Sequence, residues 1–144
     1  MKRFDFPLER VRRWRSEQAS LEELKLQQLR AEKSRLESVQ RGLEAGVSGA
    51  EKRVLAQAAI EAVELTSLGS YRSHTRQKIR ELQNRGRQYD AKIVEQLQRV
   101  MEARRQAELL EQLREKALGE WQAALDKEQE ELASELFLAK ARRN

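Results

Sequence analysis

Chemistry in this chain would have to come from carboxylates, arginines, one histidine and two tryptophans, and their spacing limits what they can do. There is no cysteine, so neither a disulfide framework nor a thiolate metal site can form. His74 is the sole histidine, and a lone histidine beside a turn reads as a solvent-facing side chain rather than a ligand or proton carrier. Glu111, Glu115, Glu128, Glu130 and Glu131 are acids at helical spacing, on a surface without a cleft to shift their pKa values. No Gly-x-x-x-x-Gly-Lys-Ser/Thr phosphate loop is present. The expectation is therefore no catalytic residue, no metal and no cofactor. What these residue types can do is recognise a partner through charge and exposed apolar surface.

The net charge of +5 and the pI of about 9.7 invite a nucleic-acid reading. However, 24 acidic residues are mixed among 29 basic ones, the pattern of solvated helix flanks paired across turns. No nucleic-acid partner is expected; a basic nucleic-acid binder is kept only as a lesser alternative. The uneven stretches carry more information. Residues 2–15 hold six bases against two acids, residues 72–92 seven against two, and residues 126–135 five acids against Lys127 alone.

The elements that position these groups are helices. Ile79, Leu82, Tyr89, Ile93, Leu97, Val100, Ala107, Leu110, Trp121, Leu125 and Leu132 fall on one stripe at three- and four-residue spacing, with no proline between them. At ~1.5 Å per residue that stretch is roughly 80 Å long. So narrow an apolar face cannot be buried by the helix itself and needs a partner helix. Charged residues at 37%, aromatics at 5% and one proline agree with a coiled coil rather than a globular core. The first helix supplies the partner stripe: Val11, Trp14, Leu21, Leu24, Leu29, Leu36, Val39, Leu43 and Val47, with a stutter between Leu24 and Leu29. Gly42, Gly46 and Gly49 each lower helix propensity by about 1 kcal/mol relative to alanine, so residues 42–49 read as one weakened helix or as a break. No segment approaches the 18 uncharged apolar residues of a membrane span, and the start of the chain lacks a signal peptide's apolar run, which implies a cytosolic protein without direct membrane insertion.

The expected fold is thus all-α: a single domain, 1–144, forming a long antiparallel two-helix coiled-coil hairpin. Its first helix spans about 8–64, the turn about 65–69 and the second helix about 69–140. The turn is placed at Leu65-Thr66-Ser67-Leu68-Gly69-Ser70, with Ser67 or Ser70 as N-cap. A turn there makes facing residue numbers add to about 135, which sets Leu43 against Ile93, Val54 against Leu82 and Trp14 against Trp121. From about Glu128 the second helix then has no partner, leaving Leu132, Leu136, Phe137 and Leu138 uncovered.

Three features have two readings each. Phe4 and Phe6, ahead of Pro7, form either a staple onto the first helical turn or an exposed foot for a partner. Trp14 and Trp121 are core anchors, or one of them is an interface hot spot. Arg10, Arg12, Arg13 and Arg15 either match the acidic segment 126–135 within the molecule or present a footprint for an acidic partner.

The N-terminal pattern Phe4-x-Phe6-Pro7-Leu8-x-x-Val11-x-x-Trp14-Arg15-x-Glu17 resembles the start of the flagellar export protein FliJ family. Leu113-Arg114-Glu115-Lys116-Ala117-Leu118-x-Glu120-Trp121, followed by Asp126-Lys127-Glu128-x-Glu130-x-Leu132-Ala133, is similar to that family's C-terminal pattern. Such proteins are soluble components of the flagellar type III export apparatus, shaped like the central shaft of rotary ATPases. The resemblance implies a cytoplasmic protein peripherally associated with the inner membrane at the flagellar base. Its implied partners are the hexameric export ATPase, the cytoplasmic domain of the export gate, and export chaperones. By that resemblance ATPase binding falls to Phe4, Phe6, Val11, Arg12, Arg13, Glu128, Leu132, Leu136 and Phe137. Gate binding falls to Tyr71, His74, Lys78 and Leu82, although His74 and Lys78 stand where the family commonly has larger apolar residues. The alternative is a generic coiled-coil scaffold or secretion chaperone that self-associates through the 8–47 or 79–132 stripe.

Overall fold

The computed structural model describes residues 3–144; Lys2, counted above in the basic lead, lies outside the described residues. Two helices, α1 over Glu9–Leu55 and α2 over Ala62–Arg143, pack antiparallel as an all-α hairpin, without a strand among the described residues. The chain divides into two compact units. One is Glu22–Val100, and the other takes the chain up to Leu21 together with Met101 onward.

In the Glu22–Val100 unit, the inward residues of α2 are Thr75, Ile79, Leu82, Gly86, Tyr89, Ile93, Gln96 and Val100, alternating by four and three. Those of α1 are Glu22, Leu26, Leu29, Lys33, Leu36, Gln40, Leu43, Val47, Ala50 and Val54, with the same alternation. A strict seven-residue repeat on both helices is the condition for two helices to keep one seam in contact. Val100 is fully buried at 0% exposure. Burying a side chain of that size stabilises by roughly 1.5–3 kcal/mol.

Several polar residues at or beside the seam have partners across it. Gln96 Nε2 donates to the Glu22 backbone carbonyl at 3.0 Å and to the Glu22 carboxylate at 2.5 Å. Lys33 reaches Asp90 across the seam and Glu37 at 3.7 Å along its own helix. Arg72 Nε lies 3.0 Å from Glu51. Gln96 lowers the pKa of Glu22, Asp90 raises that of Lys33, and a hydrogen bond to Glu32 raises that of Tyr89.

The hairpin stands, but its register is not the expected one. In Lys33–Asp90 and Glu51–Arg72 the residue numbers add to 123 rather than 135. The displacement is close to two heptads, which returns apolar positions onto apolar positions, so the apolar pattern alone cannot distinguish the two registers. The turn moves accordingly, from 65–69 to residues 56–61. Leu65 to Ser70 all lie inside α2: Thr66 Oγ1 donates to the Ala62 carbonyl of its own helix at 2.9 Å, and no glycine has positive φ. Neither Ser67 nor Ser70 is therefore an N-cap. The Glu61 carbonyl opens α2 by accepting from the Glu64 and Leu65 amides at 3.1 and 3.2 Å. After Val54 the next positions in the α1 repeat are Gln57 and Glu61, so continued pairing has nothing apolar to bury, and pairing overrides the helix propensity of Ala56, Ala58 and Ala59.

α1 runs unbroken through Gly42, Gly46 and Gly49. Gly46 has a packing reason: a Cβ there would sit 3.0 Å from the Tyr71 hydroxyl of α2.

The seam assignment predicts unequal costs for two valines of one helix. Val100→Ala should destabilise the chain by roughly 2 kcal/mol. Val94→Ala, at a 61% exposed position, should stay within about 0.5 kcal/mol. Urea denaturation followed by helix signal measures both.

Candidate functional site

In the unit formed by the chain up to Leu21 and from Met101 on, the α1 seam is Arg12, Arg15 and Ala19, continuing the seven-residue repeat without a stutter. Val11, Trp14 and Leu21, expected in the core, lie beside that seam and are exposed; Leu24 is exposed likewise in the other unit. Extrapolating the repeat backwards from Leu43, Leu36 and Leu29 would have found this. The apolar residues leave the seam there; the helix does not change phase.

Arginine at a seam needs acceptors, and α2 supplies them. Arg12 forks between Glu9 on its own helix and Glu111 across the seam, at 2.5 Å to each. Arg15 Nη1 donates to Gln106, and Arg13 Nε lies 3.3 Å from Glu9. Arg114 Nε adds a charge contact 3.7 Å from Glu9, too long for a hydrogen bond. Arg12 and Arg15 thus find their partners at Glu9, Glu111 and Gln106, not in the acidic segment 126–135.

The aromatic lead resolves toward the packed reading. The Phe6 carbonyl accepts from the Glu9 amide at 3.0 Å around Pro7 and Leu8, and Phe6 is 7% exposed. The Phe4 ring stands 5.9 Å from Trp121 at a 58° tilt, and the Arg114 guanidinium is 5.8 Å from the Phe4 centroid. Tilted aromatic pairs of this kind contribute about 0.5–1.5 kcal/mol beyond their buried area. The expected Trp14–Trp121 layer is replaced by this Phe4–Trp121 pair. Trp14 is half exposed, with the Arg15 guanidinium 4.7 Å from its ring centroid.

Beyond this capped region α2 continues without α1. Every residue from Asp126 to Arg143 is exposed, including Glu128. Leu136 and Phe137 are 70% and 72% exposed, and Leu132 and Leu138 are more than half exposed. These 18 residues make five helical turns, ~27 Å at 1.5 Å per residue, with apolar side chains turned to solvent.

The residues proposed for ATPase contact therefore separate into two sets. Phe4, Phe6 and Arg12 gather around Trp121, Arg114 and Glu111 and are engaged within the molecule. Glu128, Leu132, Leu136 and Phe137 share the partnerless turns, while Val11 and Arg13 are exposed on α1. In the other unit, Tyr71, His74 and Lys78 are exposed on α2, whereas Leu82 belongs to the seam.

Among the described residues no group of His, Cys, Asp or Glu is arranged to hold a metal ion, and no helix is long and apolar enough to cross a membrane. The grooves of the Glu22–Val100 unit, one lined by Leu36, Leu82 and Gly86 and another by Val47, Thr75 and Ile79, are open to solvent. The chain matches no family model, no curated protein and no solved structure with which it was compared.

The Glu9 cluster has a pH signature. The hydrogen bond from Arg12 pulls the Glu9 carboxyl down from 4.5 to about 2; partial desolvation opposes this, and the charges of Arg12 and Arg13 assist. A folded pKa below the unfolded one stabilises above the unfolded pKa, and the contribution is lost as the pH falls from about 4.5 toward 2. The thermal midpoint of the native chain should fall more steeply across that window than that of Glu9→Gln.

Proposed function

We propose that the chain is a non-enzymatic stalk of the flagellar type III protein export apparatus, binding and stimulating the export ATPase ring. On this reading it also contacts the cytoplasmic domain of the export gate and helps cycle export chaperones. The single observation that supports it best is the run of five α2 turns without a partner, with Leu132, Leu136 and Phe137 open to solvent. A soluble helix keeps such a surface at a cost in solubility, and exposed apolar patches of this kind mark partner sites.

Exposure supports dividing the expected contact residues by role. Glu128, Leu132, Leu136 and Phe137 carry the ring contact, with Val11 and Arg13 as accessories. Phe4, Phe6 and Arg12 act by holding the base of that projection, since their side chains are already packed or ion-paired. Gate contact rests on Tyr71, His74 and Lys78, with Leu82 withdrawn into the seam. The generic-scaffold alternative draws on the exposed flank residues Trp14, Leu21, Leu109 and Leu113.

Adding the intact chain to its export ATPase should raise ATP turnover several-fold. A chain truncated after Glu128 should lose the stimulation while keeping most of its helix signal. Absence of stimulation by the intact chain would dismiss the stalk reading.

A further inference from the structure

Charge along the partnerless turns is segregated. Asp126, Glu128, Glu130, Glu131 and Glu135 crowd the first ten positions, while Lys140, Arg142 and Arg143 end the helix. Leu132 and Leu136 lie four residues apart on one face, with half-buried Leu125 seven residues before Leu132 and Ala139 three after Leu136. This is a coiled-coil seam, Leu125, Gln129, Leu132, Leu136, Ala139 and Arg143, with no helix of its own chain against it.

We infer that residues 126–143 form a self-recognition surface, on which two copies of this chain pair antiparallel about a two-fold axis near Ser134. The seam is symmetric about that residue. Leu132 of one copy meets Leu136 of the other, and Gln129 meets Ala139, so the pairing is isologous and closed. In an antiparallel pair the flanking positions meet like with like along the repeat, which sets Asp126 against Lys140 and Glu128 against Arg142 of the second copy. Symmetry doubles both, giving four oppositely charged flank pairs. Glu135 meets its own copy at the axis and is the one like-charged flank contact. Parallel pairing would instead stack the acidic halves on each other, so charge selects the antiparallel orientation. Phe137 and Leu138 fall outside the seam and stay uncovered in the pair.

Two five-turn helices bury less surface than a standard stable interface, so the dimer is weak, with a Kd of ~10–100 µM. The inference does not rest on the export reading, because no ATPase enters its test. Sedimentation equilibrium of the full chain from ~1 to ~500 µM should show a monomer–dimer transition. Leu132→Ser with Leu136→Ser should leave a monomer throughout, and Phe137→Ala should not change the Kd. Glu135→Gln should tighten the dimer several-fold. Two further variants, Lys140→Glu with Arg142→Glu and Asp126→Lys with Glu128→Lys, should each be monomeric alone and dimerise when mixed. A native chain that stays monomeric across the range overturns the inference. So does a dimer unchanged by the leucine variant, or a pair of charge variants that fail to associate on mixing.

Discussion

Two helices, each with an apolar face two positions wide in every seven, can leave water only by covering each other. All else in the structure depends on that constraint. Charged and amide side chains fill most of the remaining positions, and the apolar residues among them, such as Trp14, Leu21, Val39 and Leu109, stay exposed. The seam is thin and discontinuous, with few fully buried side chains beyond Val100. Its stability is therefore distributed along the pairing rather than concentrated in a core.

A thin seam leaves room for polar residues, and these give the pairing its specificity. Leucine opposite leucine tolerates a slip by whole heptads, because another leucine arrives in the vacated place. Gln96 bonded to the Glu22 carbonyl, Lys33 to Asp90 and Arg12 to Glu111 do not tolerate it. Sliding would strand a charged or amide group at a half-buried position without its acceptor, which costs more than the pair gains when formed. The approach of Tyr71 to Gly46 acts in the same sense, since a Cβ there would sit 3.0 Å from the ring hydroxyl and force it to shift. The arginines at positions 12 and 15, which from composition alone suggested a footprint for a partner, are thus partly structural.

The proposed function sits where this pairing stops. Phe6 is buried, and the Phe4 ring packs at a tilt against Trp121 within reach of Arg114. That closure fixes the last paired level of α2, and the next five turns extend beyond α1 with every side chain exposed. The proposed ring contact and the inferred self-pairing surface draw on these same turns. The two uses overlap at Glu128, Leu132 and Leu136 but not at Phe137, which keeps them separable.

Composition and repeat are enough to show that this chain is helical, that it folds back as a two-helix hairpin, and that the end of the second helix is uncovered. These are local or compositional facts: a repeat of three and four, one proline, and more apolar length on α2 than on α1. The register, the turn at 56–61, the unbroken course of α1 through the glycines at 42–49 and the choice of packed aromatics come from contacts between the helices. The reason is physical. A heptad pattern is periodic, so it defines the face of each helix but leaves their relative slide degenerate. The Ser, Thr and Gly cluster at 65–70 is the strongest local turn signal, yet its residues are compatible with a helix once pairing is satisfied elsewhere. Val11, Trp14 and Leu21 have helical spacing too, and only contact with α2 shows that Arg12, Arg15 and Ala19 hold the seam instead.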